Sequence, residues 1–592
     1  MSYVMAATGS GGWPMSVFLT PDQKPFYGGT YFPPEDRWGM PGFKSLLDSM
    51  RDSWRSQRGE IETSAASAVQ FLSREISGPS ATDKLTGALL EDAFNRCEAG
   101  YDASDGGFGG APKFPRSHTL SMLLRHWLKT RTAKSLEMVE GTLRSMASGG
   151  IYDQLGGGFH RYSTDARWRI PHFEKMLYDQ GLLAGAYLEA YQATRNEEYS
   201  RVARETLDFV LREMTSPEGG FYSAMDADSQ DPQNPSLKRE GAFYVWTKKE
   251  IERILGPDAA AFCAYYGIEE GGNAIADPHG EFKDQNVLYR EDYRGAAKHS
   301  RASAISSGPG DWAPVPSGDS ASPFFSSVMS VSRKKLFEAR AKRPRPYLDD
   351  KVLTDWNALM ISALARAAVI LDEPRYCAAA ERAGIFIDEK MKDKKGRLLH
   401  RYRDKDAAIP ANLNDHACLI EAFIHLYEAN FDPTWLGKAA ALAEAMIGLF
   451  WDPANAGFYL TAKDVEVLIS RPKEVYDGAL PSGNSAAALA LALLGRYTGE
   501  SRYEDTARRT LEVFSEKVAG DPSSYPAMLM ALDLMLGPGR EVVIAAQKRD
   551  EHAESFLKEA RESFFPDQAV LLRLAGTEKE LAIAAPFTLD KA

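Results

Sequence analysis

Acidic, imidazole and aromatic side chains concentrate in five short segments of the sequence. These segments are RWRIPHFEKMLYD (167–179), AMDADS (224–229), YLDDKVLTDWN (347–357), NLNDHA (412–417) and KEVYDGALPSGNS (473–485). Histidines and paired carboxylates can move protons at carbon or at a glycosidic oxygen when they lie within hydrogen-bond reach of the reacting atom. Aromatic faces and acids together can bind the ring and the hydroxyl groups of a sugar. The pattern therefore indicates a pocket for a small molecule, with a sugar as the expected ligand.

Two sets of candidate residues follow from these segments. The candidate catalytic residues are His172, His416, Asp226 and Asp355. The candidate substrate-binding residues are Trp168, Arg169, Glu174, Asp228, Asp349, Asp350, Trp356, Asn357, Glu474, Tyr476, Asp477 and Asn484. A structural role stays open for each of them, because aspartate is favoured at helix N-caps and turns and a histidine at a helix start can be satisfied within the core.

We expect neither a metal nor an organic cofactor. The four cysteines, at positions 97, 263, 377 and 418, match neither a Cys-x-x-Cys redox motif nor the spacing of a zinc site. Buried free thiols are the expected state. The sequence also contains neither GxxxxGK[ST] nor a GxGxxG that follows a strand, so nucleotide binding has no support.

The composition is that of a large globular protein. Of the 592 residues, 44% are hydrophobic and 26% are charged, and 70 basic against 82 acidic residues give a net charge of −12. Without a basic patch, nucleic acid is excluded as an expected partner. No apolar run approaches the roughly 20 residues that span a bilayer, so we expect no membrane contact and a cytoplasmic location. The oligomeric state stays open.

From Thr82 onward the sequence shows long amphipathic helices in consecutive pairs. A turn with glycine and an aromatic residue separates many of the pairs. Phe108, Phe159, Phe221 and Phe282 lie 51, 62 and 61 residues apart, and Leu398 and Phe458 lie 60 apart. A repeat of this size, in which neighbouring units bury each other's faces, predicts a repeat architecture. Phe108, Phe159, Phe221 and Phe458 should occupy equivalent turns.

We therefore predict a mainly α protein whose residues 82–537 form an (α/α)6 toroid, in preference to an open solenoid. The thirteen predicted helices include one at 325–342, and the Gly-, Ser-, Ala- and Pro-rich segment 291–323 is predicted to be a mobile insertion. For residues 1–75 the pattern predicts a strand, a turn, a second strand and a helix. For residues 538–592 it predicts a small α/β segment.

Five further segments carry a family resemblance: SGGWPMSVFLTPDQKPFYGGTYFPP (10–34), APKFPRSH (111–118), GGIYDQLGGGFHRYSTDARWRIPHFEKMLYDQ (149–180), DDKVLTDWNALM (349–360) and VYDGALPSGNS (475–485). They closely resemble the spermatogenesis-associated family of thioredoxin-domain proteins. The resemblance spans nearly the whole chain. It implies a thioredoxin-like domain joined to a six-hairpin glycosidase-like barrel, similar to N-acylglucosamine 2-epimerases and cellobiose epimerases. PHFEKML (171–177) is loosely similar to the histidine–glutamate motif of those epimerases.

The chain departs from that family at both ends. Members typically begin with a half-domain carrying Cys-x-x-Cys and often finish with a cysteine pair, and this sequence has neither. Residues 1–75 match the second half of a thioredoxin fold, in which Pro14 would be the cis-proline. We therefore expect a truncated chain, an in-frame upstream extension of about 90 to 110 residues with a Cys-x-x-Cys, and cleavage of the short form near residues 76–82.

Three functions remain open at this stage. The first is a sugar-active enzyme, either a 2-epimerase or isomerase that works by proton transfer or, as a weaker alternative, a glycosidase. The second is a carbohydrate-binding or scaffold protein without catalysis. The third is a thiol–disulfide protein in a full-length form, which this chain cannot support alone because it lacks the thiol pair.

Overall fold

The computed structural model describes residues 2–9, 11–37, 39–74, 85–232, 234–274, 282–290, 323–466 and 469–590. The expected insertion 291–323, apart from its last residue, and the expected junction and cleavage sites between residues 75 and 82 lie outside these ranges.

The helices are α1 (Ser2–Thr8), α2 (Phe43–Ser56), α3 (Arg58–Arg74), α4 (Gly87–Gly100), α5 (Ser117–Thr130), α6 (Ala133–Ser148), α7 (Leu177–Thr194), α8 (Glu197–Glu213), α9 (Lys248–Leu255), α10 (Ala259–Tyr265), α11 (Pro323–Arg340), α12 (Thr354–Ile370), α13 (Pro374–Lys390), α14 (Leu413–Asn430), α15 (Pro433–Phe450), α16 (Gly483–Thr498), α17 (Ser501–Gly520), α18 (Pro526–Leu536), α19 (Glu551–Glu562) and α20 (Glu578–Ala584). The strands are β1 (Ser16–Leu19), β2 (Pro25–Gly29), β3 (Tyr162–Ser163), β4 (Pro171–His172), β5 (Lys175–Met176), β6 (Ala224–Met225), β7 (Asp228–Asp231), β8 (Asn234–Glu240), β9 (Leu348–Asp349), β10 (Val352–Leu353), β11 (Leu399–Arg403), β12 (Asp406–Pro410), β13 (Arg540–Ala546) and β14 (Gln568–Leu574).

Six helices form a closed inner ring. The helices α5, α7, α12, α14, α16 and α18 each contact the next in this order, and α18 returns to α5. A second layer surrounds them, with α6, α8, α13, α15, α17 and α4 packed respectively against the six inner helices. This return of the last helix to the first confirms the predicted (α/α)6 toroid and excludes the open solenoid.

The two layers differ in sequence because they bury different fractions of their surface. The inner helix α16, GNSAAALALALLGRYT, is buried along nearly its whole length, whereas the outer helix α8, EEYSRVARETLDFVLRE, buries only one stripe. A helix apolar all round belongs between two layers, and an amphipathic helix belongs at a surface. Small residues on α16 also allow its neighbours to approach closely.

Each glycine–aromatic turn connects an outer helix to the next inner helix. Phe108, Phe159, Phe221 and Phe458 each form an isolated β-bridge just after the preceding outer helix, with Tyr101, Tyr152, Thr215 and Trp451 respectively. Leu398 pairs in the same way with Lys392. The predicted equivalence of these turns is confirmed. At Gly157, where φ is +75°, a side chain is also excluded by space, because an added Cβ would lie 2.3 Å from the carbonyl oxygen of Glu205.

Phe282 does not belong to this series, which corrects the prediction from its spacing. The bridge in its region joins Trp246 to Asn286, and the Phe282 ring packs against Phe173. The helix predicted at 325–342 is also not part of the ring. It forms α11, which packs against α9 in a separate apolar cluster that contains Trp246 and Leu336. The spacing of 61 residues was therefore coincidental.

Three of the turns enclose a buried lysine. The pairs are Lys113–Asp102 at 2.7 Å, Lys175–Asp153 at 2.9 Å and Lys473–Asp452 at 2.8 Å. Each lysine Nζ also donates to the main-chain carbonyl two residues before the turn phenylalanine, at Gly106, Gly157 and Ala456. A buried ammonium is tolerated only when it is paired and hydrogen-bonded, and this geometry supplies both.

A small α/β unit closes the chain, as predicted. Strands β13 and β14 are parallel and joined through α19. The unit packs on the C-terminal ends of the inner helices, where the main-chain N–H groups of Val570 and Leu572 donate to the hydroxyls of Tyr497 and Tyr427.

The N-terminal unit contains the antiparallel pair β1–β2, with α1 and α3 packed against β2. The Trp13–Pro14 peptide bond is cis, as expected for a thioredoxin-like unit. Trp13, Leu19 and Phe71 are exposed, at 78%, 46% and 52%. No helix among the described residues has the length and apolar character needed to cross a membrane.

Removing one buried lysine should destabilise the ring. We expect Lys473→Met to lower the free energy of unfolding by about 3–5 kcal/mol, because Asp452 would remain buried without its cation. Lys335→Met, which breaks the exposed pair with Asp258, should cost less than about 1 kcal/mol. Urea denaturation followed by circular dichroism measures both. Equal losses would show that the buried pair does not stabilise the turn.

Candidate functional site

Polar side chains gather where the inner helices begin. Short strands connect successive units at this end: β5, β6 and β9 form one sheet, and β10, β11 and β12 form another. Together with the pair β3–β4, they carry the chain into α7, α12 and α14. We call the group His172, Tyr178, Asp179, Asp355, Trp356 and His400 the rim site.

His172 lies on β4 with one ring nitrogen held by an acid. Its Nδ1 is 2.8 Å from Glu240 Oε1, and its Nε2 is 3.7 Å from Glu174 Oε2. The ring stacks on Tyr162 at 5.1 Å, and the side chain remains 26% exposed. Burial lowers the pKa of His172, but the interactions of its ring with the carboxylates of Glu174 and Glu240 outweigh burial and raise the pKa to about 9. His172 is therefore an imidazolium at neutral pH.

His400 on β11 has a matching arrangement. Its Nδ1 lies 2.9 and 3.0 Å from the two carboxylate oxygens of Asp415, and its side chain is 23% exposed. Burial lowers the pKa of His400, yet the hydrogen bond to Asp415 outweighs this and the net shift is upward. When Nδ1 is held by a carboxylate, Nε2 is left for a ligand or for water.

Two carboxyl groups in first helical turns stand beside the histidines. Burial and then the nearby Asp415 raise the pKa of Asp355, the second residue of α12, to about 7. Burial also raises the pKa of Asp179, the third residue of α7, and its Oδ2 has no hydrogen-bond partner among the described residues. An acid with a pKa near 7 can both accept and return a proton at physiological pH.

Contacts join these groups into one site. The Tyr178 hydroxyl bonds to Arg161, and Arg161 Nη1 donates to Glu174 Oε2 at 2.8 Å, beside His172. On its other side, the Tyr178 ring meets Trp356 edge-on at 4.8 Å. Trp356 directly follows Asp355, whose main-chain N–H donates to Asp415. His172 and His400 are thus connected through a continuous set of side chains.

Asp355, His400 and Asp415 are the residues within the described ranges that could hold a metal ion. One ligand atom from each lies within 4.8 Å of the others. However, Asp415 already accepts the main-chain N–H groups of Asp355 and Asn412 as well as the His400 ring. A metal would have to displace these donors, so the arrangement suits a hydrogen-bonded acid–base group better.

Asn357 and Asn484 hold turns, which corrects their assignment as substrate ligands. In each case Oδ1 accepts the N–H of a turn phenylalanine, and Nδ2 donates to the same residue's carbonyl. Gln180 makes the same two bonds to Phe159. A side chain with all its polar atoms engaged by the backbone has no donor or acceptor to offer a ligand.

Three further candidates are structural for similar reasons. Trp168 is fully buried and donates Nε1 to the carbonyl of Asp105. His416, proposed as catalytic, is buried with Nδ1 on the Asn412 carbonyl and its ring against Phe450. Asp477 accepts the N–H groups of Ser482, Ala527 and Met528 and so caps α18. His416 and Asp477 are thus buried in structural positions, whereas Asp226 is exposed.

The remaining candidates are partly or fully exposed. Asp226 and Asp228 are exposed next to Glu240, and Asp226 accepts the N–H of Asp228. Among the other candidates, Arg169 lies over the Tyr289 ring, Asp349 pairs with Lys351, and Asp350 pairs with Arg403. Glu474 is exposed, and Tyr476 is 65% exposed. Of the sequence-derived set, His172, Glu174, Asp355 and Trp356 are the residues that the fold connects most directly.

Sequence reasoning missed His400, Glu240, Arg161, Tyr178 and Asp179 as site residues. Tyr178 and Asp179 lie inside a segment that had been singled out, and His400 lies in the turn GRLLHRYRD (396–404). A histidine in that turn was a usable signal. Glu240 gave none, because it comes from β8 and only the fold brings it to His172.

The role of Asn484 in holding its turn can be tested by measuring the stability of a variant. Asn484→Asp should lower the free energy of unfolding by about 1–3 kcal/mol, because a carboxylate oxygen would face the carbonyls of Phe458 and Glu474. Asn234→Asp, at an exposed position, is the matched control. Thermal denaturation of both variants gives the comparison. An unchanged melting temperature for the Asn484 variant would restore it as a candidate ligand residue.

Comparisons with known proteins give matches to several parts of the chain. A family model described as Thioredox_DsbH, protein of unknown function, DUF255, matches residues 1–73. Among solved structures, D-mannose isomerase gives a TM-score of 0.46 at 10% identity, covering 78% of this chain and 99% of its own. Cellobiose 2-epimerase from Bacillus thermoamylovorans gives 0.45 at 9% identity, covering 76% and 100%. Both likenesses are weak, and the ring rests on the helix contacts described above.

A much stronger similarity comes from sequence. Spermatogenesis-associated protein 20 from Homo sapiens is 34% identical over 99% of this chain and 76% of its own length. Its counterpart from Mus musculus is 33% identical with the same coverage. This chain therefore belongs to the spermatogenesis-associated protein 20 family.

Proposed function

We propose that the rim site binds a sugar and transfers a proton at the carbon next to its carbonyl group, as a 2-epimerase or isomerase does. The observation that carries the proposal is the pair of histidines, each with Nδ1 on a carboxylate and about a quarter of its side chain exposed. General acid–base catalysis needs side chains oriented in this way and reachable by a ligand.

We assign the two histidines different roles in proton transfer. His172, with a pKa of about 9, is the acid and donates a proton to the substrate. The neighbouring group of Asp355 and His400 is the base and removes the carbon-bound proton, since Asp355 ionises near pH 7. The proton taken from carbon is replaced by one from the site, so the sugar is rearranged with no net gain or loss of atoms.

Aromatic side chains between the two groups suit a sugar. Trp356 is partly buried and meets Tyr178, so its accessible surface lies beside the acid–base residues. The apolar face of a sugar ring can stack on such a surface, while Glu174, Arg161 and Asp179 accept or donate hydrogen bonds to hydroxyls. Binding without catalysis uses the same surface, so the test below separates the two functions.

Exchange of carbon-bound hydrogen for solvent deuterium is the direct test. Aldoses, ketoses and cellobiose are incubated with the full chain in D2O, and deuterium at the second carbon is followed by NMR. His172→Gln, His400→Gln and Asp355→Asn should each lower the exchange rate by about 10²–10⁴-fold. His552→Gln and Asp404→Asn, at exposed positions, are matched controls that should retain it.

The pH profile adds a second check. Activity should rise as pH increases through about 7, where Asp355 loses its proton, and fall as pH passes about 9, where His172 loses its own. Asp355→Asn should remove the lower limb from any residual activity. Sugar binding by wild type without exchange would support the non-catalytic function, and no binding of any sugar would contradict the proposal.

A further inference from the structure

A second group of charged residues lies inside the ring, away from the rim site. A cavity of about 220 Å³ runs along the ring axis. Its charged lining residues come from the C-terminal halves of the inner helices and from α19. We call this group, Arg125, Glu189, Arg366, Glu421, His425, Glu428 and Arg561, the lower chamber.

Each arginine of the lower chamber already has an acid of its own. Arg125 pairs with Asp567 at 2.9 Å, and Lys129 and Asp533 beside them form a second balanced pair. Arg366 Nη2 bonds to Glu189 Oε1 at 2.9 Å. Arg561 donates to the main-chain carbonyl of Glu428 and lies near its carboxylate. These groups together carry no net charge.

Glu421 is the acid that has no part in these pairs. The cations nearest to it, Arg366 and Arg125, are those already paired, and no described residue forms an ion pair with it. Burial raises the pKa of Glu421, which is the direction expected for a carboxyl that lacks a partner. Glu421 is therefore an acid without a paired cation among the described residues.

Two other side chains that line the cavity carry unpartnered polar atoms. Glu189 is 5% exposed, and its Oε2 has no hydrogen-bond partner among the described residues. His425, one helical turn after Glu421, has an unpartnered Nδ1, and burial together with Arg366 and Arg125 lowers its pKa to about 3. At neutral pH all three groups can accept a hydrogen bond. Buried acceptors of this kind are costly unless a donor meets them.

We propose that the lower chamber binds a small organic molecule with a primary ammonium group and hydroxyl groups. Glu421 supplies the counter-charge, and Glu189 Oε2 and His425 Nδ1 accept the remaining ammonium hydrogens. The volume corresponds to about seven waters at roughly 30 Å³ each, which limits the ligand to about the size of a monosaccharide.

This inference goes beyond the proposed function and does not depend on it. The rim site lies at the first turns of the inner helices, whereas Glu421, Glu189 and His425 lie in the middle or later turns of α14 and α7. The probes in the test are accordingly not sugars.

Two compounds of matched size provide the test. Calorimetric titration of the full chain compares 2-amino-1,3-propanediol with glycerol, which differs by a hydroxyl in place of the ammonium group. We expect the amine to bind at least ten-fold more tightly and to raise the melting temperature more than glycerol does. Equal affinities and equal shifts of the melting temperature for the two compounds would overturn the proposal. This comparison requires no variant of the chain.

Substitution of Glu421 gives the second arm of the test. Glu421→Gln should reduce amine binding to the level of glycerol and raise the melting temperature of the free protein. Glu389→Gln, on the exposed surface of α13, should leave both unchanged. Amine binding retained by Glu421→Gln would contradict the assignment. The double variant His172→Gln with His400→Gln should bind the amine normally, so failure of the rim site is distinguishable from failure here.

Discussion

Buried lysine–aspartate pairs control how the chain passes from one layer of the ring to the next. In the turns at Lys113, Lys175 and Lys473 the ammonium group bonds to an aspartate and to a main-chain carbonyl. Each turn reverses the chain between an outer and an inner helix while burying its backbone. A buried carbonyl or carboxylate without a donor would cost more than the turn gains from packing its phenylalanine, and the lysine removes that cost.

The same requirement explains why so many polar residues at this end of the ring are structural. Gln180, Asn357 and Asn484 hold the turn phenylalanines by the backbone, and Asp477 caps an inner helix. Six helix N-termini converge there, each with main-chain N–H groups that need acceptors. Acids and amides therefore accumulate whether or not a ligand binds. The residues left over after these needs are met, above all His172, His400 and Asp355, are those with chemistry to offer.

The two ends of the ring are closed in different ways. At the N-terminal end, short strands and turns leave the histidines partly accessible. At the opposite end the C-terminal α/β unit packs across the helix termini, and Arg561 from α19 reaches the cavity. The axial cavity is thus enclosed below by a unit outside the ring itself, which is why its lining combines residues separated by more than 400 positions, such as Arg125 and Arg561.

The sequence alone determined the repeat and the ring. Helical periodicity and the glycine–aromatic turns depend on local spacing, so twelve helices and the equivalence of Phe108, Phe159, Phe221 and Phe458 could be predicted. The same arithmetic failed at Phe282, because this residue packs against Phe173 in a separate apolar cluster and takes no part in a turn of the ring.

Only the tertiary structure distinguished the residues that hold turns from those whose side chains are available for acid–base chemistry. Asn357 and Asp355 stand two residues apart in one predicted segment, yet one is fully engaged by a backbone turn and the other faces Asp415 and His400. Burial and hydrogen-bond partners decide a side chain's role, and both depend on contacts distant in the chain. Glu240 reaches His172 from 68 positions away, so no local pattern could have paired them.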